Sequence, residues 1–404
     1  MMNDLQERER LLRILAFATF VIFFQAYMVA PIVPFFSKLF GARLQTVGLI
    51  VPAYLVPYGV STLFYGPLAD RSGLRRVMLT SLTAFSLLSM LTALSGSVSQ
   101  LTFWRLLTGF GAGGVVPLAL ALVGSLYPYA ERGRPLGWLF SAMAGGMAFG
   151  SPLGVLLIPL VGWRGLFLVV GAAGLLVLAL VARYVPRPMV SSSVASSKVS
   201  VGESFDGYKS LLKSSRGRRT YGYVFVNSMF HSGLFTWISV YFVQRFHLGP
   251  VGIGLALLGY GVPGFLFGPL IGRAADRIGR SRILPVGLLL SASSAAVLIA
   301  GFPVSLAPLV MMALSLGYDM TQPLLGGIVT SLAGNRPGQA MGLNVFILFI
   351  GFGMGSLIFG ELMRSGFNVA LAVFGTVECV AAVLSIRLFR FEKPLAVVPN
   401  SASP

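Results

Sequence analysis

Apolar runs long enough to cross a membrane follow one another along almost the whole chain, separated by short polar segments. A membrane-spanning helix needs about 20 predominantly apolar residues. Twelve runs meet that length within a few residues: 14–36, 46–65, 77–95, 100–125, 137–160, 164–185, 219–243, 250–270, 283–303, 306–330, 341–362 and 367–388. The pattern predicts an all-α membrane protein with 12 transmembrane helices.

The composition leads to the same class of protein. Hydrophobic residues make up 56% of the chain and charged residues 10%, whereas soluble proteins carry about 25% charged residues. The expected surroundings are therefore a lipid bilayer. A net charge of +18 is typical of nucleic-acid binding in a soluble protein, but here the basic residues stand in short clusters between the apolar runs. No nucleic-acid partner is expected.

Basic residues are concentrated in every second loop. If the amino terminus is cytoplasmic, the loops on that side hold Arg71, Arg75, Arg76, Arg132, Arg134, the basic residues between 187 and 219, Arg273, Arg277, Arg280, Arg282, Arg336, Arg387 and Arg390. The other side holds Lys38, Arg43, Arg164, Arg245 and Arg364. Because Lys and Arg favour cytoplasmic loops, we expect a multi-pass protein of the cell membrane, in a bacterium the inner membrane, with both termini in the cytoplasm.

A serine-rich segment without a spanning run divides the chain in the middle. We predict an N-terminal six-helix bundle over 1–185, a cytoplasmic linker over 186–218, and a C-terminal six-helix bundle over 219–404 that ends in a short cytoplasmic tail. Four apolar linker residues recur at helical spacing: Phe205, Tyr208, Leu211 and Leu212. They are compatible with an amphipathic helix on the membrane surface, and disorder is the alternative.

A short basic turn occurs twice, about half the chain length apart. The first copy contains Gly66, Asp70, Arg71, Gly73, Arg75 and Arg76, and the second contains Gly272, Asp276, Arg277, Gly279 and Arg280. A repeat of this kind predicts two related six-span bundles. Its glycines permit a sharp turn, and its acid can pair with arginine. We interpret both copies as a conformational latch that holds the halves together and releases them during transport, with the alternative that the arginines only fix the topology.

These turns resemble the signature of the major facilitator superfamily, Gly-x-x-x-Asp-Arg-x-Gly-Arg-Lys/Arg, with Leu74 where the family usually has arginine. Span four carries a similar arginine and glycine pattern that begins at Arg105. Span five resembles the helix-packing motif of the proton-coupled drug and metabolite exporters of that family, with Ser151 intruding before the proline: Gly146, Gly150, Pro152 and Gly154. The resemblance implies a transporter, not an enzyme, that moves a small molecule by alternating access.

Polar residues inside the spans are candidates for a substrate and proton cavity: Gln25, Tyr54, Tyr58, Arg105, Asn227, His231, Asp319, Gln322 and Glu378. A charge within a span costs at least ~2.5 kcal/mol and is retained where it faces a cavity or a partner. Arg105 is a candidate anion or proton-coupling site; a position at the membrane interface is its alternative. For the uncharged residues the alternative is a hydrogen bond between helices, worth about 0.6 kcal/mol on average.

Asp319 is the acid best placed to bind a proton. Polar or small residues share its helical face at spacings of three or four: Ser315, Gln322, Gly326 and Thr330. Such a stripe predicts a water-filled cavity. Glu378 has no comparable stripe, so that packing as a neutral acid competes with a role in proton binding. Span one contains no acid, although the exporters of this family commonly have one there.

Our leading functional hypothesis is proton-coupled efflux of an amphipathic or drug-like compound. The alternatives are proton-coupled uptake of a small organic anion held by Arg105, and a membrane sensor that does not transport. We expect a functional monomer without a cofactor, with the proton as coupling ion. Two histidines without ligand spacing and a single cysteine, Cys379, predict no metal site and no disulfide within the chain.

Overall fold

The computed structural model of the protein describes residues 2–126, 133–185, 208–332 and 337–392. Within them, twelve spans form two groups of six, as predicted. The first six are α1 Met2–Tyr27, α2 Pro52–Ser72, α3 Leu74–Thr92, α4 Val98–Ala112 with Val115–Leu126, α5 Gly133–Leu156 and α6 Ile158–Tyr184. The second six are α7 Ser215–Phe246, α8a Pro250–Ala256 with α8b Val262–Ile278, α9 Arg280–Ala300, α10 Ala307–Leu332, α11 Pro337–Leu362 and α12 Phe367–Leu388. Short helices Val33–Phe40 and Leu44–Gly48 and 3₁₀ turns Ala30–Ile32, Leu257–Gly259, Val304–Leu306 and Met363–Ser365 connect them.

One span differs from the rest in composition. Eleven of the described helices are long and apolar enough to cross a membrane by themselves, and α7 is not among them. It starts with three arginines within five residues and carries Asn227 and His231 further along. Between 227 and 242 almost every residue of α7 is buried. A helix surrounded by other helices needs no lipid-facing surface, so its low apolar content fits its central position.

Both copies of the basic turn have the same backbone form. The helices α2 and α8b continue beyond the apolar runs that predicted them, to Ser72 and Ile278. Each ends at a glycine with positive φ, +89° at Gly73 and +97° at Gly279, a conformation that favours glycine. Six spans separate the two turns, so they lie at the same end of the molecule. We call this end the motif end.

Glycines bring backbones into contact within each bundle. The predicted packing motif Gly146, Gly150, Pro152 and Gly154 lies where α5 crosses α1. A Cβ atom at Gly150 would stand 2.7 Å from the Phe24 carbonyl oxygen, and one at Gly154 would stand 2.5 Å from that of Met28. In the second bundle, Gly351 of α11 approaches α7 in the same way. Close backbone approach of this kind supports helix association in lipid.

Contacts between the bundles extend from the end opposite the motif end to the middle of the membrane. Tyr27 of α1 lies 5.1 Å from Phe235 of α7, measured between ring centroids. Deeper in the molecule, Tyr58 of α2 meets Phe349 of α11 at 4.3 Å. The indole of Trp237 packs on the backbone between α1 and α2. The interface between the bundles is therefore mainly aromatic at these levels.

The end of the linker packs on the second bundle. Residues 208–213 are helical, and Tyr208 and Leu211 contact a small apolar cluster on that bundle. Phe205 lies outside the described residues, and Leu212 is exposed. The next helix, α7, begins at Ser215, four residues before the predicted start, because the Ser214 side chain accepts a hydrogen bond from the Gly217 N–H and caps it.

Candidate functional site

Asp319 stands in the middle of α10 and is partly exposed. Its carboxylate accepts a hydrogen bond of 2.9 Å from the Ser315 hydroxyl one turn away, and the backbone of Gly264 in α8b lies against it, because a Cβ atom at Gly264 would stand 2.6 Å from the carboxylate Cγ. Gln322 is also partly exposed and donates to the Ser228 hydroxyl of α7 at 3.1 Å. Next to Gly326 there is open space. The polar face of α10 is therefore partly exposed over at least two turns; the Thr330 side chain lies outside the described part.

Aromatic rings from α7, from α10 and from the segment between α8a and α8b pack together next to this part of α10. The His231 ring of α7 stacks on Tyr318 of α10 at 3.9 Å, and the Tyr260 hydroxyl forms a hydrogen bond with the Nε2 atom of His231. Tyr260 also stacks on Phe235 at 4.5 Å between ring centroids. We call Asp319, Ser315, Tyr260, His231 and Tyr318 together the Asp319 cluster.

This cluster reaches the other bundle through α1. The Tyr27 ring of α1 lies 6.4 Å from that of Tyr260. Side chains of both halves thus meet around one acid in the middle of the membrane. A partly exposed carboxyl in this position can bind and release a proton, and its charge acts on side chains of both halves.

A second polar cluster lies inside the N-terminal bundle. The Arg105 guanidinium is fully buried and donates to the carbonyls of Ile50 at 3.2 Å and Gln25 at 3.4 Å. It also lies over the Tyr54 ring at 4.3 Å. The Gln25 amide donates to the Ser89 hydroxyl of α3 at 2.8 Å. We call Arg105, Gln25, Tyr54 and Ser89 the Arg105 cluster.

For three residues the structure differs from the cavity prediction. Arg105, Gln25 and Tyr54 have no exposed surface, and the described bonds of Arg105 and Gln25 join α1, α3, α4 and the segment just before α2. A polar side chain in lipid is stabilised by a partner within its own bundle, and here the nearest partners are backbone carbonyls and a serine. The interface alternative for Arg105 does not apply either, since its guanidinium is enclosed by protein.

The remaining candidates lie in three different places. Tyr58 belongs to the contact between the bundles. Asn227 is buried inside the C-terminal bundle and donates to the Thr321 hydroxyl at 2.8 Å. Glu378 is completely buried in α12, and neither carboxyl oxygen has a hydrogen-bond partner among the described residues. Because no described bond joins Glu378 to the Asp319 cluster, its position fits packing as a neutral acid better than a place in that cluster.

The described partners of the basic turns lie within their own bundles. Arg75 donates to the carbonyls of Val185 at 2.9 Å and Ala182 at 2.5 Å, where α6 ends. In the second bundle the Arg280 side chain lies beside Gly327 of α10. The side chains of four turn residues lie outside the described part: Asp70, Arg71, Asp276 and Arg277. A latch between the halves therefore stays a prediction.

Comparison with known proteins agrees with the fold and the turns. The profile of the Major Facilitator Superfamily matches residues 15–259 and 224–404. The chain belongs to the Major Facilitator Superfamily. Members of this superfamily with similar sequences include an uncharacterized MFS-type transporter, YwfA of Bacillus subtilis strain 168, 25% identical over 96% of this chain and 95% of that protein. Another is the quinolone resistance protein NorA of Staphylococcus aureus strain COL, 25% identical over 86% of this chain and 89% of NorA.

Solved transporters of the superfamily share the fold. A bacterial homolog of the human lysosomal transporter Spinster, in an inward-facing and unoccupied conformation, superposes with a TM-score of 0.78 at 16% identity and covers 96% of this chain and 98% of its own. A D-xylose-proton symporter gives a TM-score of 0.76 at 16% identity, with 94% and 97% covered. This protein is thus a Major Facilitator Superfamily membrane transporter with twelve spans in two bundles.

Sequence reasoning missed the contribution of the eighth span to the site. We predicted one run over 250–270, but the helix stops after Ala256 and resumes at Val262. Tyr260 and Gly264, which meet His231 and Asp319, belong to this region. The sequence Tyr-Gly-Val-Pro-Gly from Tyr260 to Gly264 is a helix-breaking signal that indicates such an interruption. Tyr27 carried no comparable signal, because an aromatic residue in an apolar run is ordinarily packing.

Proposed function

We propose that this transporter exports small amphipathic compounds in exchange for protons by alternating access, and that Asp319 binds the proton. The observation that carries the proposal is the position of Asp319, partly exposed in the middle of its span and close to a contact between the two bundles. An acid at this depth is retained for function more often than for packing. The charge of this acid acts on side chains of both halves, as the coupling of proton binding to alternating access requires.

Aromatic surface near the acid supports an amphipathic substrate. The rings of Tyr27, Phe235 and Tyr260 are buried in one contact between the bundles, and those of Tyr58 and Phe349 in another; separation of the bundles at these contacts, as alternating access requires, would turn them into apolar walls. Small-molecule sites commonly combine apolar walls with a few placed polar groups. Quinolone resistance, the property that gives NorA its name, is what we expect of a protein that removes such compounds from the cell.

Uptake of an organic anion receives less support from the geometry. In that hypothesis Arg105 holds the anion, but its guanidinium is fully buried and already bound to two carbonyls and an aromatic ring. The Nη2 atom of Arg105 has no hydrogen-bond partner among the described residues, but an anion would have to open the enclosing helices to reach it, because the side chain has no exposed surface. The resemblance to the D-xylose-proton symporter concerns the fold alone at 16% identity.

The orientation of the protein follows from its charges. Both turns at the motif end are basic, and we place this end and both termini in the cytoplasm, as the bias of Lys and Arg to cytoplasmic loops requires. Export then moves the substrate from the motif end to the opposite end while a proton moves inward. The proposal needs no cofactor besides the proton.

Transport in proteoliposomes under an imposed pH gradient tests the proposal. We expect a fluorescent amphipathic dye to move faster when protons are concentrated on the side opposite the dye, and Asp319→Asn to lose this acceleration while keeping dye counterflow. Glu378→Gln serves as the matched acid control and should keep the acceleration. An Asp319→Asn variant that responds to the gradient like the unmodified protein, or faster transport with protons on the dye side, would contradict the proposal.

A further inference from the structure

The eighth span is broken where it meets the other bundle. Between α8a and α8b the backbone passes through a 3₁₀ turn, an extended Tyr260 and Gly261 with a φ of +78°. A Cβ atom at Gly261 would lie 2.6 Å from Cα of Ala148 in α5. The break therefore presses directly on a helix of the N-terminal bundle, and a change in its shape must alter the contact between the bundles.

One side chain of α10 satisfies the backbone at this break. The Gly261 N–H donates to the Ser315 hydroxyl oxygen at 2.9 Å, and the same hydroxyl donates its hydrogen to Asp319 Oδ2 at 2.9 Å. The Gly264 backbone in the first turn of α8b lies against the acid, because a Cβ atom there would stand 2.6 Å from the carboxylate Cγ of Asp319. The first N–H groups of a helix have no partner within it. At the start of α8b, the Gly261 N–H finds its partner in the serine that is bound to the acid.

We propose that Ser315 is a positioning residue that transmits the protonation state of Asp319 to the break in the eighth span. This inference rests on the proposed function, in which Asp319 binds the coupling proton. Hydrogen bonds to an ionised carboxylate are about twice as strong as those to neutral acceptors, and negative charge is favourable at a helix N-terminus. The ionised acid holds the break in its bent form against α5. The protonated acid releases it.

Further groups face Asp319 from the helices packed around it. Tyr27 comes from α1, Tyr260 from the break and Tyr318 from α10 itself. His231 of α7 acts through its hydrogen bond with Tyr260. The described hydrogen bond that offsets the negative charge comes from Ser315, which also accepts a hydrogen bond from Gly261 of the eighth span. A change of charge at Asp319 therefore alters the hydrogen bond of Ser315 and, through it, the backbone at the break.

A distance measurement across the break tests this role. Phe149 of α5 and Phe265 of α8b have ring centroids 6.3 Å apart, and both side chains are exposed. Spin labels at Phe149→Cys and Phe265→Cys, in a Cys379→Ser background, report the separation of the two helices by pulsed electron paramagnetic resonance. We expect a short distance at alkaline pH and an additional longer distance at acidic pH. Asp319→Asn should show the longer distance at both.

The serine is tested with a matched pair of similar size. Ser315→Thr keeps the hydroxyl and should keep the pH-dependent change of distance, whereas Ser315→Val lacks it and should give one distribution at every pH. Ser315→Ala repeats the hydroxyl deletion without added volume, in case valine prevents folding. Folded protein is verified by size-exclusion chromatography and dye binding. A pH response in Ser315→Val or Ser315→Ala equal to that of the unmodified protein would overturn the inference.

Failure of the inference differs visibly from failure of the proposed function. If Asp319→Asn still transports in response to a pH gradient, Asp319 is not the coupling acid, and both the proposed function and the inference are wrong. If Asp319→Asn loses coupling but the serine variants keep the pH-dependent distance, only the role of Ser315 is wrong. If the distance in the unmodified protein is independent of pH, the break is not the element that responds to the proton.

Discussion

The Arg105 cluster of the N-terminal bundle and the Asp319 cluster of the C-terminal bundle are built for different tasks. In the Arg105 cluster the charge is fully buried, and its partners are carbonyls and a ring of the same bundle. In the Asp319 cluster the charge is partly exposed, and its neighbours include a broken helix and the other bundle. A charge that is held rigidly stabilises a fold. One that is partly exposed and connected to a helix break is suited to change its state.

Removal of the buried guanidinium should therefore have the largest effect on stability. We expect Arg105→Ala to lower the free energy of unfolding by about 3 kcal/mol, because two buried charge-assisted hydrogen bonds and a cation–π contact are lost. Asp319→Asn should change stability by less than about 1 kcal/mol while it abolishes proton coupling. Thermal unfolding in detergent measures the stability of both variants.

The control for Arg105→Ala is an arginine on the surface. Arg364 pairs with Glu361 at 2.9 Å, and both side chains are more than half exposed, so that Arg364→Ala should cost at most about 0.5 kcal/mol. Equal stability of Arg105→Ala and Arg364→Ala would show that the Arg105 cluster is not a structural element.

Replacement of a glycine next to each cluster should have opposite effects on stability. Gly109 of α4 lies against the backbone of α2, where a Cβ atom would stand 2.9 Å from Cα of Tyr54. We expect Gly109→Ala to destabilise the protein by about 2 kcal/mol, since backbone rather than a side chain must move. Gly326, on the Asp319 face, has open space beside it, and Gly326→Ala should stabilise α10 by about 0.5–1 kcal/mol. Denaturation curves of both variants measure these changes in stability. Similar losses of stability in the two variants would mean that there is no open space beside Gly326.

The difference between the clusters explains how far sequence reasoning extends. Spans and the repeated turns follow from apolar length and glycine spacing, which are local properties. The polar face of α10 was also predictable, because helical periodicity places Ser315, Asp319 and Gln322 on one side. The direction in which Gln25 and Arg105 point was not, since it depends on the rotation of α1 and α4 against their neighbours. Partners such as Tyr27 and Gly264 come from distant parts of the chain and become neighbours only through packing.

Two tyrosine hydroxyls distinguish the clusters on a smaller scale. The Tyr260 hydroxyl bonds to His231, whereas the Tyr54 hydroxyl is buried without a hydrogen-bond partner among the described residues. Tyr260→Phe should therefore cost about 1 kcal/mol, and Tyr54→Phe should be neutral or slightly stabilising, because its ring still lies under Arg105. Thermal shifts of the two variants are directly comparable. A larger loss for Tyr54→Phe would contradict the assignment of these hydroxyls.

The contrast between the bundles continues at the motif end, outside the membrane. In the N-terminal bundle Arg75 binds carbonyls at the end of α6, and carbonyls do not titrate. In the C-terminal bundle Glu392, after α12, binds Arg216 at 2.8 Å and Arg219 at 3.0 Å. Burial acts to raise the pKa of the Glu392 carboxyl, but hydrogen bonds from Arg216 and the charges of Arg216, Arg219 and Arg280 outweigh burial and lower this pKa below its ordinary value of 4.5.

Only the second arrangement should depend on pH. Because the pKa of Glu392 is lower in the folded protein than in the unfolded chain, its stabilisation is complete above about pH 4.5 and is lost as the pH falls through the lowered value. The effect should stay below about 1 kcal/mol, since Arg216 is partly exposed to water. The unfolding temperature of Glu392→Gln should lie below that of the unmodified protein at neutral pH and should approach it in acid. Glu361→Gln, at an exposed pair, is the control; a gap between Glu392→Gln and the unmodified protein that persists unchanged into strong acid would show that the ion pair is not its source.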